Sequence, residues 1–264
     1  DDLAGVCAIL EAVRSLREDG TSHPPLEVIL TVAEEKQLLG AKALDMERIR
    51  SREAYVLDTG GAPGNVTVRA PGHRGLRVEI RGRAAHAGMA PEKGVSAIGV
   101  AARAIAGMRL GRIDHETTAN VGVISGGLAG NIVPERCSVT AECRSHSPEK
   151  LEAQCRHMVE AFRAAAAEAG AEAEIEVEVS FEPYAIPEDA PVVRRFQAAC
   201  GTLGFPVSLN ATGGGSDNNI LVRHGIAGIV PACGMTDVHS TAETLAVRDF
   251  ADTARLAERL MILP

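Results

Sequence analysis

The middle of the chain constrains the fold most. Gly75–Gly82 alternates, with Leu76, Val78 and Ile80 on one face, and Val95–Met108 is rich in Ala and Ile at helical spacing. Ala119–Ile124 and Ser138–Arg144 then read as strands, Pro148–Ala167 as a long helix and Ala173–Val179 as a last strand. The order β-α-β-β-α-β is the split-βαβ, ferredoxin-like unit, a layer of sheet with its helices on one face. On either side the texture is different. Leu3, Val6, Leu10, Val13 and Leu16 form a helical stripe, the turn-rich Asp19–Pro25 ends it, and Leu26–Val32 reads as a strand buried on both faces. Ala54–Leu57 is a second short strand. After the Pro-containing 183–191 stretch come a helix near Val192–Leu203, a Gly-rich turn at Gly213–Asp217, a strand over Ile226–Val230 and a closing helix near Ala251–Leu260. Strand and helix in alternation indicate an α/β domain with its sheet between helices. The expected division is therefore a discontinuous outer domain, 1–68 and 188–264, with an inserted domain at 69–187.

Composition narrows the function. Thirty-five Asp and Glu against 27 Lys and Arg give a net charge of −8, and no basic run provides the footprint that nucleic acid or an anionic membrane needs. Aromatic residues make up 3%, with no Trp, so base-stacking platforms are scarce as well. The six Cys, at 7, 137, 143, 155, 200 and 233, form no C-x-x-C pair, which fits reduced thiols in a cytoplasmic protein. The sequence opens on Asp1-Asp2 without Met, a start that reads as the cut end of a longer protein.

Two acidic groups fall where ligands collect in an α/β sheet, beyond the carboxyl ends of strands. Glu34-Glu35 follows the first expected strand and Asp58 the second; a further acidic pair, Asp1-Asp2, precedes the first helix. Adjacent carboxylates repel and lose solvation unless a positive group compensates. A divalent metal would do so, with one Glu ligating and its neighbour acting as general base; a solvated helix N-terminus would hold the same pair. His239, in a loop after an apolar strand, adds an imidazole, and carboxylates with His suit Zn²⁺, Co²⁺ or Mn²⁺.

The strings TVAEEKQLLGAK, RGRAAHAGMAPEKGVSAI, GRIDHETTANVGVISGGLAGNIVPE, Glu142-Cys143-Arg144-Ser145, ATGGGSDNN and GMTDVHSTAE resemble, in order and over essentially the whole chain, the peptidase T-like branch of the dimeric zinc exopeptidases. That wider family also contains carboxypeptidase G, aminoacylases and succinyl-diaminopimelate desuccinylase. The resemblance implies a mixed α/β catalytic domain, its N-terminal strands lying before Asp1, with an inserted ferredoxin-like lid that also dimerises. It implies two divalent metals, Zn or else Co or Mn, with Asp1 bridging them and Glu35, Asp58 and His239 as further ligands. Glu34 would be the general base, and His86 a lid histidine that reaches the partner subunit's site to hold the tetrahedral oxyanion. Asn131 and Arg144 would hold the substrate's carbonyl and terminal carboxylate, and Gly214 and Ser216 would line its pocket. The implied activity is release of the N-terminal residue from short peptides. Hydrolysis of N-acyl amino acids, or a silent dimerising peptide-binding protein, is the alternative. Two positions depart from the family pattern: Leu3 stands where Lys is common, and no His near the N-terminus begins the family's H-x-D motif.

Overall fold

The computed structural model describes residues 2–262. In chain order its elements are α1 (Leu3–Asp19), α2 (Leu39–Lys42), β1 (Glu53–Tyr55), β2 (Asn65–Ala70), β3 (Gly72–Arg81), α3 (Ala97–Ala106), β4 (Gly111–Arg112), β5 (Thr117–Gly126) and β6 (Arg136–Ser145). There follow α4 (Pro148–Ala169), β7 (Glu172–Phe181), β8 (Tyr184–Ala185), α5 (Pro191–Leu203), β9 (Ser208–Ala211), α6 (Asp217–Arg223), β10 (Ala227–Pro231), β11 (Met235–Thr236), β12 (Thr244–Leu245) and α7 (Val247–Ile262). The chain forms two compact units. One runs to Ala70 and resumes at Tyr184; the other is Pro71–Pro183.

The outer unit holds a mixed sheet in the order β1-β10-β2-β8, with β9 also paired to β2. β1 runs parallel to β10 and β9 parallel to β2, while β10 and β8 are antiparallel to β2. Val66 and Val68 of β2 and Ile229 of β10 pack with Val192, Val193 and Phe196 of α5 and Leu256 of α7 in one apolar core. α1 begins at Asp2, whose Oδ1 accepts from the Gly5 amide at 2.9 Å, and ends at Gly20 in the left-handed region.

Two expectations for this unit need correction. The buried face of α1 is Gly5, Ala8, Ala12 and Leu16, whereas Leu3 and Leu10 of the expected stripe are 77% and 50% exposed. Small residues win because the helix comes so near the strand end that a Cβ on Gly5 would lie 2.4 Å from the Leu57 carbonyl oxygen. Leu26–Val32, expected as a doubly buried strand, belongs to no strand, and Leu30 and Val32 are 50% and 74% exposed. An apolar, β-branched run becomes a strand only when a neighbour takes its N–H and C=O groups, and no described strand pairs with it. It is tethered by side chains instead: the Glu27 carboxylate accepts from the Ser51 amide at 2.7 Å, and Thr31 donates to Asp217.

The inner unit is one antiparallel sheet in the order β4-β5-β6-β3-β7. Its first strand, β3, sits between the third and fourth long strands, the ferredoxin-like arrangement read from the element order. α3 and α4 cover one face, burying Leu76, Val78 and Ile80 of β3 against Val100, Leu151, Met158 and Phe162. On the other face Arg77 and Arg81 pair with Glu176, Glu178 and Glu174 of β7. At the opposite edge β4 covers only Thr118 and Ala119, so residues 120–126 of β5 have no described strand beside them there.

The α1 contact makes a prediction whose sign opposes helix propensity. Gly5→Ala would gain up to about 1 kcal/mol as a helix residue, but overpacking against the Leu57 backbone should cost about 1–3 kcal/mol. Urea unfolding should show a net loss of stability; a gain would mean that α1 stands further from β1.

Candidate active site

Four carboxylates of the outer unit crowd together. Glu34 lies in the turn after the unpaired 26–32 segment, Asp58 just beyond β1, Asp217 at the first position of α6, and Asp2 at the cap of α1. All four line a cleft of about 770 Å³ whose other walls are largely apolar, among them Ile9, Val56, Leu221 and Leu260. Loss of solvation, then the charges of Asp217 and Glu35, push the Glu34 carboxyl up to about 7, with His239 offsetting part of the rise. Burial likewise pushes Asp58 up to about 7, followed by the charges of Glu34, Asp2, Asp217 and Glu35. Acidic neighbours thus raise both carboxyls, and His239 is the side-chain cation that offsets part of the rise at Glu34.

Glu35 and His239 form an opposite-sign pair beside the acids. Glu35 Oε1 lies 3.1 Å from His239 Nδ1, and both side chains are more than half exposed. The His239 amide also donates to Glu243 Oε2 at 3.3 Å. An exposed pair like this contributes about 0–1 kcal/mol, so it does not hold the loop by itself. The backbone is strained around the same residues. Asp2, Ala33, Gln37, Leu38, Asp237 and His239 are the described non-glycine residues with positive φ. Left-handed backbone costs a residue with a side chain about 1–2 kcal/mol, and such strain gathers at functional sites.

Asp217 is the member that the sequence reading missed. Thr31 Oγ1 donates to its Oδ2, while its Oδ1 is buried with no hydrogen-bond partner among the described residues. Reading Gly213–Asp217 as a backbone turn hid it; the signal was an acid opening a helix after a glycine run and a serine cap. The Gly214 amide donates to Thr212 Oγ1 at 3.2 Å. Ser216 is buried, and its side chain and that of Asn219 form a capping box on α6, a structural task at the edge of the cluster.

The donor chemistry fits a divalent cation: crowded carboxylates with raised pKa, an orphaned oxygen on Asp217 and an imidazole beside Glu35. The geometry is open, since no three His, Cys, Asp or Glu side chains among the described residues come close enough to hold a metal ion. Asp1, the expected bridging ligand, lies outside the described residues.

The inner unit brings together two of its three candidates. The segments carrying His86 and Asn131 run side by side, with the Ala87 amide donating to the Asn131 carbonyl and the Val133 amide to the Ala85 carbonyl, both at 2.9 Å. Both residues are exposed. His86 Nδ1 accepts from the Gly88 amide at 3.2 Å, which leaves Nε2 as the donor of the neutral ring. Arg144 is elsewhere. The His86 and Asn131 segments lie beyond the Arg81–Arg136 end of the β3–β6 ladder, while Arg144 sits near the Gly72–Ser145 end. Eight residue steps separate Arg136 from Arg144, about 27 Å of strand.

Comparison with known proteins now decides the family. The peptidase dimerisation domain model of the M20 family matches residues 68–170. The crystal structure of aminopeptidase PepT from Bacillus cereus is 45% identical and superposes with a TM-score of 0.90, covering 99% of this chain and 70% of that one. The chain belongs to the M20 peptidase family. It falls in the peptidase T-like branch and has that family's α/β fold. A tripeptidase from Staphylococcus aureus is 36% identical, with a TM-score of 0.94 over 99% of this chain and 70% of its own. The uncharacterised protein YqjE of Bacillus subtilis is 43% identical over 97% of this chain and 69% of its length.

The crowding in this M20 site makes the metal-free protein pH-sensitive. Glu34 and Asp58 titrate near 7 when folded and near ~4 when unfolded, so between those values the folded state holds more protons. Their contribution is fully present below about pH 4 and lost as pH rises through 7. In chelator, Tm should fall from pH 5.5 to pH 8, and Zn²⁺ should restore more at pH 8 than at pH 5.5. A Tm that rises across that interval in chelator would contradict the cluster.

Proposed function

We propose that the protein is a cytoplasmic, metal-dependent exopeptidase that removes the N-terminal residue from tripeptides and similar short peptides. The observation that carries this reading is the group of carboxylates, Asp2, Glu34, Asp58 and Asp217, that line one cleft of the outer unit. Glu35, Asp58 and His239 would hold two divalent ions, most suitably Zn²⁺, together with Asp1. When bound, the ions supply Lewis acidity, polarising the scissile carbonyl and making an attacking water more acidic. Glu34 acts as general base. Burial in the cleft and its acidic neighbours hold its carboxyl near neutrality, where a base can take a proton from water and return it to the leaving amine. Asp217, through Thr31, ties the 26–32 segment to α6 and so fixes the approach to Glu34.

The family comparisons support a peptidase, and the aminopeptidase and tripeptidase names of two similar structures favour short peptides over N-acyl amino acids. The lid works in a homodimer. An extended tripeptide spans about 10 Å, far less than the ~27 Å of β6 that separates Arg144 from the His86 end. One lid therefore does not bring both to one substrate. His86 and Asn131 serve the partner's site as oxyanion and carbonyl donors, while Arg144 pairs with the terminal carboxylate of a peptide. The open edge of β5 is suited to pairing with a second copy. Residues 120–126 carry no charge, and Val123 and Ile124 are 57% and 49% exposed, an edge that proteins otherwise blunt with charge or proline.

Two assays test this. With Zn²⁺ added, tripeptides should be hydrolysed and N-acetyl amino acids should not; turnover of the acyl amino acids alone would overturn the peptidase reading. Glu34→Gln should lower kcat by at least about 10³-fold with metal still bound, within the range of a lost general base. Retained activity would remove Glu34 from that role.

A further inference from the structure

Arg144 ends a side-chain chain that begins in the interior of the lid. Its Nε and Nη2 donate to Oε1 and Oε2 of Glu142 at 3.2 and 3.0 Å, a two-point pairing that fixes the plane of the guanidinium. Glu142 Oε2 also lies 2.7 Å from His73 Nε2, and His73 Nδ1 lies 2.8 Å from Ser180 Oγ. The Phe181 ring stacks on the imidazole, with centroids 5.5 Å apart. The chain crosses three strands: Ser180 and Phe181 on β7, His73 on β3, and Glu142 and Arg144 on β6. Cross-strand register sets its order. His73 lies opposite Phe181 on one side and Arg144 on the other, and Glu142 lies opposite Gly75, which has no side chain to fill the space beside it.

A strand-end salt bridge alone does not need this arrangement. His73 and Ser180 are only 9% and 2% exposed, and an apolar residue stacked on Phe181 would fill the same volume without burying polar atoms. Both ring nitrogens of His73 are used, and both oxygens of Glu142. The Glu142 carboxyl is held down near 2, by the His73 hydrogen bond first and then by Arg144, so its charge is constant at any working pH. The buried end of the chain is rigid. Its outer end, Glu142 and Arg144, is about one-third exposed.

We propose that His73, fixed by Ser180 and Phe181, is a positioning residue that orients Glu142, and that Glu142 presents the Arg144 guanidinium to the substrate's terminal carboxylate. This rests on Arg144 being the residue that pairs with that carboxylate. Pre-setting the guanidinium lowers the ordering cost of binding, so its loss raises KM and leaves kcat alone. Neither His73 nor Glu142 touches substrate.

The test compares a tripeptide with its C-terminal amide in the metal-loaded enzyme. Arg144→Ala should raise KM for the acid strongly and for the amide little. His73→Phe keeps the ring stacked on Phe181 and removes both hydrogen bonds; it should raise KM for the acid about tenfold, with kcat within about twofold and the amide unaffected. His73→Gln retains a donor for Glu142 and should recover part of the loss. Ser180→Ala makes the same discrimination, more weakly, should His73→Phe prove insoluble. If Arg144→Ala does not separate acid from amide, the carboxylate reading falls and this proposal with it. If Arg144→Ala separates them and the His73 and Ser180 variants do not, or harm both substrates equally, the positioning role alone is overturned.

Discussion

Repulsion among carboxylates is the constraint around which the outer unit is organised. Glu34, Asp58, Asp217 and Asp2 come from four separated stretches of chain; the charge of Asp217 raises the cost of ionising Glu34, and those of Glu34, Asp2 and Asp217 raise that of Asp58. Nothing in apolar packing favours such a gathering. It persists because the surrounding structure over-determines it: α1 is pressed onto the end of β1 through Gly5, and α6 is capped by Ser216 and Asn219. The left-handed residues Ala33 and His239, beside the acids, are consistent with strain concentrated at one end of the unit. A divalent cation would turn the cluster's instability into binding energy, since each ionised oxygen that repels its neighbours would attract the ion.

The lid has the opposite character. Its charges are matched: Arg74 lies in the interior with Glu152 and Glu182 on either side, and Arg77 and Arg81 face a row of Glu on β7. A neutralised, regular sheet is a rigid carrier, with the His86 and Asn131 segments beyond one end of its β3–β6 ladder and Arg144 near the other.

How much of this was legible in the sequence depended on how local each signal was. The lid's strands and helices were readable because Leu76, Val78 and Ile80 alternate within one strand and Pro148–Ala167 reads as one long helix, two residues short of the observed end of α4. Leu26–Val32 misled because its composition suits a strand, while being a strand depends on a partner elsewhere in space. The face of α1 misled because periodicity favours large apolar residues, and the close contact at Leu57 demanded small ones. Glu34, Glu35, Asp58 and His239 were visible as acids and an imidazole at strand ends and loops. Asp217 was concealed inside a glycine motif, and nothing in the sequence shows that His73 reaches Glu142.

The central claim is that the crowded carboxylates are a two-metal site. Crystals of the protein soaked in Zn²⁺ and measured at the zinc absorption edge test it directly. The account predicts two anomalous peaks about 3.5–4 Å apart, each about 2.0–2.2 Å from oxygen or nitrogen atoms drawn from Glu35, Asp58 and His239. A single peak elsewhere on the surface, or none within reach of Asp58, would contradict it.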